Sequence, residues 1–177
     1  MKSIIIYRSK TGFTEQYAKW LAESLSCGAV PYKERNSVDF NGYDTVIYGG
    51  SFHAGAIGGI KWFKEQVGKR KDMNKIVLAV GAMPAGLPAV AQTIDQNFTK
   101  EERQDMKVFY LQGGLSYEKM GFVDKQMMKM FSKMLAKKKD ATEEERETAK
   151  AVAGSYDAAD RAFLDPVVAY IRGLEAK

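Results

Sequence analysis

Residues 2–25 restrict the fold more than any other stretch of this chain, because an apolar run, a hydroxyl-rich turn and an amphipathic segment follow one another without a break. Ser3-Ile4-Ile5-Ile6-Tyr7 is short, apolar and β-branched, the composition of a strand covered on both faces and hence of a parallel sheet. Ser9-Lys10-Thr11-Gly12-Phe13-Thr14 then supplies three hydroxyls and one glycine. Ala18, Leu21, Ala22 and Leu25 recur at i, i+3, i+4, i+7 and mark one apolar face of a helix. A helix beginning there points unpaired N–H groups and a partial positive charge at the turn, so the segment reads as an anion cradle closed by Ser9, Thr11 and Thr14. An ordinary N-cap by Ser9 or Thr11 is the plainer reading of the same residues. A nucleoside triphosphate loop needs Gly-x-x-x-x-Gly-Lys-Ser/Thr and a dinucleotide loop needs Gly-x-Gly-x-x-Gly; this turn has neither.

Strand and helix signals go on alternating down the chain. Gly28-Ala29-Val30-Pro31-Tyr32 reads as an edge strand, where a proline is tolerated. Residues 43–50 read as a strand ending in the pair Gly49-Gly50, where the backbone turns or approaches something closely, followed by a loop, Ser51-Phe52-His53-Ala54-Gly55. Ile60, Phe63 and Val67 mark a helix that stops at Gly68. Lys75 to Val80 is the next strand, emptying into Gly81-Ala82-Met83-Pro84-Ala85-Gly86, and Pro88 to Phe98 is helical. Met106 to Gln112 is the last strand and runs into Gly113-Gly114-Leu115-Ser116-Tyr117. Five strands alternating with helices predict a doubly wound α/β sheet with helices on both faces, in which ligands bind at the carboxyl ends of the strands.

The C-terminal third differs in composition. From Lys125 a helix carries Met127, Met130, Phe131, Met134 and Leu135 on one face and Lys125, Lys129 and Lys133 on another. Thr142-Glu143-Glu144-Glu145 has the capping-box pattern, with Gly154 as the stop. Asp165-Pro166 reads as N-cap and first helical residue of a last helix docked through Val167, Val168, Ile171 and Leu174.

Size suggests one domain over residues 1–177, with a basic, methionine-rich helical insertion at about 118–140. The first apolar stretch is too short for a signal segment and no run is long enough to span a membrane, so the expected location is cytoplasmic. The single cysteine, Cys27, reads as a small core residue, and no Cys/His cluster is present to hold a metal. The net charge of +5 and pI of about 9.1 favour an anionic lipid surface or an acidic protein as partner. Nucleic acid is disfavoured, since the lysines are not interleaved with aromatics.

The turn Ser9-Lys10-Thr11-Gly12-Phe13-Thr14 resembles the flavodoxin phosphate loop, Thr/Ser-x-Thr-Gly-x-Thr, which holds the 5′-phosphate of FMN. Tyr48-Gly49-Gly50-Ser51-Phe52-His53-Ala54-Gly55 is similar to the Gly-x-Ser-Ile-x-x-Gly loop that borders the isoalloxazine ring. Gly113-Gly114-Leu115-Ser116-Tyr117, with the lysine- and methionine-rich helix after it, is similar to a Gly-x-Leu-x-Tyr segment and its inserted basic helix. The chain thus resembles the flavodoxin-like family, and within it the flavodoxin-domain proteins that include menaquinone-dependent protoporphyrinogen oxidase. The resemblance implies strand order 2-1-3-4-5 and FMN as cofactor. Ser9, Lys10, Thr11, Gly12, Phe13 and Thr14 would hold its phosphate. Gly50, Ser51, Phe52, His53, Ala54, Gly55, Gly81, Ala82, Met83, Gly114, Leu115, Ser116 and Tyr117 would frame the ring.

Two departures bear on substrate. The third and fourth strand loops offer Phe52 and then Met83 and Pro84 where many flavodoxins stack a Trp or Tyr, leaving Tyr117 as a substitute. The oxidase pattern has a basic residue and an aromatic before Gly55, where this chain has His53 and Ala54. His53 reads as a solvated loop residue or as a donor or proton relay to the flavin. No side chain stands out as a catalytic acid or nucleophile. The expected function is an FMN-dependent oxidoreductase moving electrons from a reduced substrate, such as a porphyrinogen, to a quinone or protein; the alternative is an electron carrier without its own small-molecule substrate. The segment from Lys125 to Lys139 contacts a membrane surface or acidic partner, packs on the domain, or forms a homodimer.

Overall fold

The computed structural model describes residues 1–176; Lys177 lies outside the described residues. In chain order the elements are β1 (Ser3–Arg8), α1 (Phe13–Leu25), β2 (Gly28–Pro31), β3 (Thr45–His53), β4 (Ala56–Ile57), α2 (Ile60–Val67), β5 (Asn74–Gly81), α3 (Pro88–Asp95), α4 (Lys100–Asp105), β6 (Met106–Gln112), β7 (Gly114–Leu115), α5 (Phe122–Lys137), α6 (Glu143–Ala151), β8 (Tyr156–Asp157) and α7 (Asp165–Glu175). Short 3₁₀ turns at Tyr32–Ser37, Phe40–Gly42 and Arg161–Leu164 complete the connections.

The parallel strands stand in order β2-β1-β3-β5-β6, the expected 2-1-3-4-5 arrangement, with β4 added antiparallel to the end of β3. Successive strand residues point to opposite faces, and both faces are dry. Ile4, Ile6, Val46, Tyr48, Val77 and Ala79 pack against α2 and α3 through Ile60, Phe63, Val90 and Ile94. Ile5, Ile47, Ile76, Leu78 and Val80 pack against α1 and α7 through Tyr17, Leu21, Val167 and Ile171. Full burial of each such aliphatic side chain stabilises by about 1.5–3 kcal/mol, which is why these strands read as continuous apolar runs. Cys27, half-buried beside α1, has its thiol pushed up to about 11 by burial, which disfavours the thiolate at neutral pH.

Several sequence expectations shift in the structure. Gly49 and Gly50 do not end β3; they lie within it, and the strand runs on through Ser51, Phe52 and His53. A Cβ on Gly49 would stand 3.1 Å from Thr14 Cγ2, and one on Gly50 only 2.6 Å from Ile57 Cγ2, so these glycines permit close approach rather than chain reversal. The last helix takes Asp165 as its first helical residue, not its cap, because the preceding 3₁₀ turn, capped by Asp160, feeds directly into it. The basic helix begins at Phe122 and ends at Lys137, and α3 closes at Asp95, leaving Phe98 in the following turn. The capping box of α6 forms as expected between Thr142 and Glu145, but the helix stops at Ala151, short of Gly154.

One buried ion sits at the lower edge of the sheet. Lys75 is 3% exposed, and its ammonium bonds the carboxylate of Asp105, which also accepts from Lys71 at 3.0 Å. Lys75 is the leading cause that holds the Asp105 carboxyl below the usual carboxylate range. A depressed carboxylate contributes stability above its unfolded pKa of about 4 and loses it as pH falls through the lower folded value. Asp105→Ala should therefore cost about 3 kcal/mol, the low end for stripping the partner from a buried ion because water reaches Asp105, while Lys75→Met should be near neutral. Urea unfolding at pH 7 of the two variants measures the contrast.

Candidate functional site

The turn between β1 and α1 is built around a left-handed residue. Gly12 has φ +102° and precedes the first turn of α1, and its N–H donates to Ser9 Oγ at 3.0 Å. Ser9 thus secures the turn from inside. The next hydroxyl inside the helix, Thr14, is 2% exposed, and its Oγ1 has no hydrogen-bond partner among the described residues. An unpaired buried hydroxyl costs about 1–3 kcal/mol unless something else satisfies it.

A cavity of about 340 Å³ opens beside this turn at the carboxyl ends of β1, β3 and β5. Lys10, Thr11, Phe13 and Thr14 form one side; Ser51, Phe52, His53 and Ala54 from the end of β3 form another; Gly81, Ala82, Gly114 and Leu115 close the floor. The β3 side is a hairpin whose two turn residues, Ala54 at φ +48° and Gly55 at φ +81°, join the paired His53 and Ala56. Asn97 holds it in place, donating to Gly55 O at 2.8 Å and accepting from Ile57 N at 2.9 Å. The floor depends on glycine as well. A Cβ on Gly81 would lie 2.6 Å from Tyr110 Oη and 3.1 Å from Phe52, and Cβ atoms on Gly113 and Gly114 would press on Phe13 at 3.0 and 2.9 Å. Two phenols pin the loop after β5, with Tyr156 donating to Ala82 O and Tyr110 to Met83 O, each at 2.6 Å. Burial pushes both phenols above their ordinary pKa.

The remaining expected residues stand off this cavity. Ser9 braces the turn, and Gly50 packs beneath Ile57. Gly55 takes the outer turn position of the hairpin, and Met83 packs into the hydrophobic core. Gly12 and Ser116 line an adjoining cavity of about 320 Å³ with Gln16, Lys119, Ser155 and Asp157. Tyr117 is buried elsewhere, its hydroxyl donating to Val152 O at 2.6 Å, so its ring is not presented as a stacking partner.

Sequence reading missed the fourth wall. Asp124, Met127, Met128 and Phe131 of α5 line the cavity together with Met120 and Val80. The i, i+4 pair Met127 and Phe131 was visible as part of an apolar stripe, but nothing in the pattern said that this stripe faces the strand ends. Asp124 fastens the helix there: its carboxylate accepts from Lys10 Nζ at 3.0 Å and meets His53 Nε2 at 2.7 Å. The bond to His53, then that to Lys10, holds the Asp124 carboxyl below the usual carboxylate range. Its attachment of α5 is therefore present above a pH of about 4 and is lost as pH falls through the lower folded value. Asp124→Ala should cost only about 0.5–1 kcal/mol in global stability, since the pairs are solvent-reached. Amide hydrogen exchange of residues 122–131 should nevertheless speed up markedly at pH 7, and exchange unchanged from wild type would show that α5 is held by other contacts.

Comparison with solved structures finds similar chains. A provisionally assigned flavoprotein from Bacteroides eggerthii shares 18% identity over 62% of this chain and 85% of its own, with a TM-score of 0.42. A flavodoxin from the domain Archaea shares 14% identity over 72% of this chain and 90% of its own, at a TM-score of 0.41. Oxidised Flavodoxin 1 from Bacillus cereus shares 14% over 72% and 91%, also at 0.41. Comparison with curated proteins finds no match. The family model described as Flavodoxin domain matches residues 4–142, which takes in β1 through α5 and every wall of the cavity, and the chain belongs to that family.

Proposed function

We propose that the protein binds FMN in the cavity beside α1 and carries electrons between a reduced donor and a quinone or protein acceptor. The observation that carries this reading is the buried, unpartnered hydroxyl of Thr14 at the N-terminal turn of a helix that follows a left-handed glycine. Such a turn suits a phosphate monoester, which supplies the acceptor that Thr14 lacks. Bound flavin supplies one- and two-electron transfer chemistry.

The chain's own residues bind, orient and shield. Thr11, Thr14 and the backbone N–H groups at the start of α1 would hold the phosphate. Phe52, Leu115, Met127 and Phe131 offer apolar walls suited to a planar ring, and methionine adapts to its outline. His53, oriented by Asp124 at the cavity wall, can exchange a proton there. A porphyrinogen donor with quinone as acceptor is the finer reading, drawn from the likeness of residues 113–117 and the basic helix to the oxidase; turnover of a porphyrinogen with added quinone tests it against a pure electron carrier.

The outer face of α5 supplies the partner surface in this reading. Phe122, Val123, Met130 and Met134 are exposed, Phe122 by 77% and Met130 by 71%, and Lys129, Lys133 and Lys137 run beside them. No helix among the described residues is long and apolar enough to cross a membrane. An apolar stripe bordered by lysines suits the interface of an anionic bilayer, each lysine there contributing about 1 kcal/mol.

Purified protein should take up FMN with quenched flavin fluorescence, and Thr11→Ala with Thr14→Ala should weaken FMN by about 1.5–3 kcal/mol per lost charge-assisted bond while leaving riboflavin unaffected. Equal wild-type affinity for FMN and riboflavin would remove the phosphate from the argument. Separately, wild type should sediment with phosphatidylserine vesicles at low salt, and a variant with Lys125, Lys129 and Lys133 changed to Glu should stay in the supernatant; if wild type stays there too, the membrane surface is wrong.

A further inference from the structure

The α1 turn by itself would not balance the negative charge of a bound phosphate. A phosphate monoester carries between one and two charges at neutral pH, whereas a helix N-terminus offers roughly half a positive charge. Lys10, the cation within the turn, is already paired with Asp124. The adjoining cavity, which shares Thr11 and Phe13 with the main one, brings a second lysine to the same turn from a distant part of the chain. Lys119 Nζ stands 3.3 Å from the point that a Cβ on Gly12 would occupy. It makes no ion pair among the described residues, and Asp157 is the acidic side chain on the same cavity wall.

The ammonium is delivered by a turn fixed on three sides. Lys119 N and Met120 N both donate to Ser116 O, at 3.2 and 3.1 Å. The neighbouring Glu118 carboxylate accepts from Ser116 Oγ at 3.2 Å and from Ser155 Oγ at 2.8 Å, and Tyr117 N donates to Ser155 Oγ at 3.0 Å. Tyr117 Oη, bonded to Val152 O, ties the turn to the end of α6. The backbone at Lys119 is therefore held while its side chain reaches over Gly12.

We propose that Lys119 is the counter-cation of the cofactor phosphate, a binding residue supplied by the segment between β7 and α5 and not by the phosphate loop itself. The inference rests on the FMN reading above and adds a residue that strengthens the preference for a phosphorylated ligand. The phosphate would take hydrogen bonds from the α1 turn and from Thr14, with Lys119 closing the solvent side. Because Lys119 is exposed, its contribution is screened by salt.

Fluorescence titration of wild type, Lys119→Ala and Lys119→Arg with FMN and with riboflavin, at low and high salt, tests this. Lys119→Ala should weaken FMN about tenfold at low salt, flatten the salt dependence, and leave riboflavin unchanged. Lys119→Arg should restore most of the difference. If wild type prefers FMN over riboflavin and Lys119→Ala keeps the full preference and salt dependence, Lys119 has no such role and the FMN reading stands. If wild type binds neither flavin, the FMN reading itself falls and this inference with it. Matching circular dichroism melts for the three proteins confirm that the comparison reports binding and not folding.

Discussion

Burial of the sheet on both faces is the constraint on which the remaining structure depends. With Ile4 and Ile6 committed to one layer and Ile5 to the other, β1 has no side left for solvent, and the same holds for β3 and β5. Backbone of this kind can meet a ligand only where the strands end. The carboxyl ends of β1, β3 and β5 all open on the same edge, and each exits through small residues: Gly12, the Ala54-Gly55 turn, Gly81 with Ala82. Helix packing from both sides thus decides where a site can be before any functional residue is chosen.

Glycine then decides how close the parts come. Gly49 lets Thr14 lie against β3, where that threonine is buried and its hydroxyl lacks a partner among the described residues. Gly113 and Gly114 make room for Phe13, and Gly81 for Tyr110 and Phe52. A methyl group at any of these positions would crowd its neighbour and force it to shift. The site is therefore a product of backbone proximity, with its polar groups riding on helix α1 and its apolar ones on the strand ends.

Helix α5 adds a wall whose hold on the body is of a different kind. None of its residues is buried, and its link to the strand ends runs through the Asp124 carboxylate, shared between Lys10 and the chain's single histidine, His53. Hydrophobic burial fixes the sheet, whereas polar, water-reached contacts fix α5. A helix held in this way opens at smaller cost than a core element does.

The parallel sheet, its strand order through family likeness, the hydroxyl-rich turn and most helices were legible in the sequence, because period-two and period-3.6 burial leave direct marks on residue type. Thr14, Phe52, His53 and Gly81 line one cavity, and their nearness was legible because they lie beside the strand ends that the pattern locates. What tertiary structure alone decided were contacts between residues far apart in the chain. Gly49-Gly50 looked like a turn because sequence shows a missing side chain but not the Thr14 and Ile57 that occupy its space. The β7–β8 pairing, the burial of Tyr117 on Val152, and the placing of Asp124 and Lys119 at the α1 turn follow from how loops return over the sheet. Local pattern determines which face of an element is apolar; only the packed chain determines what that face meets.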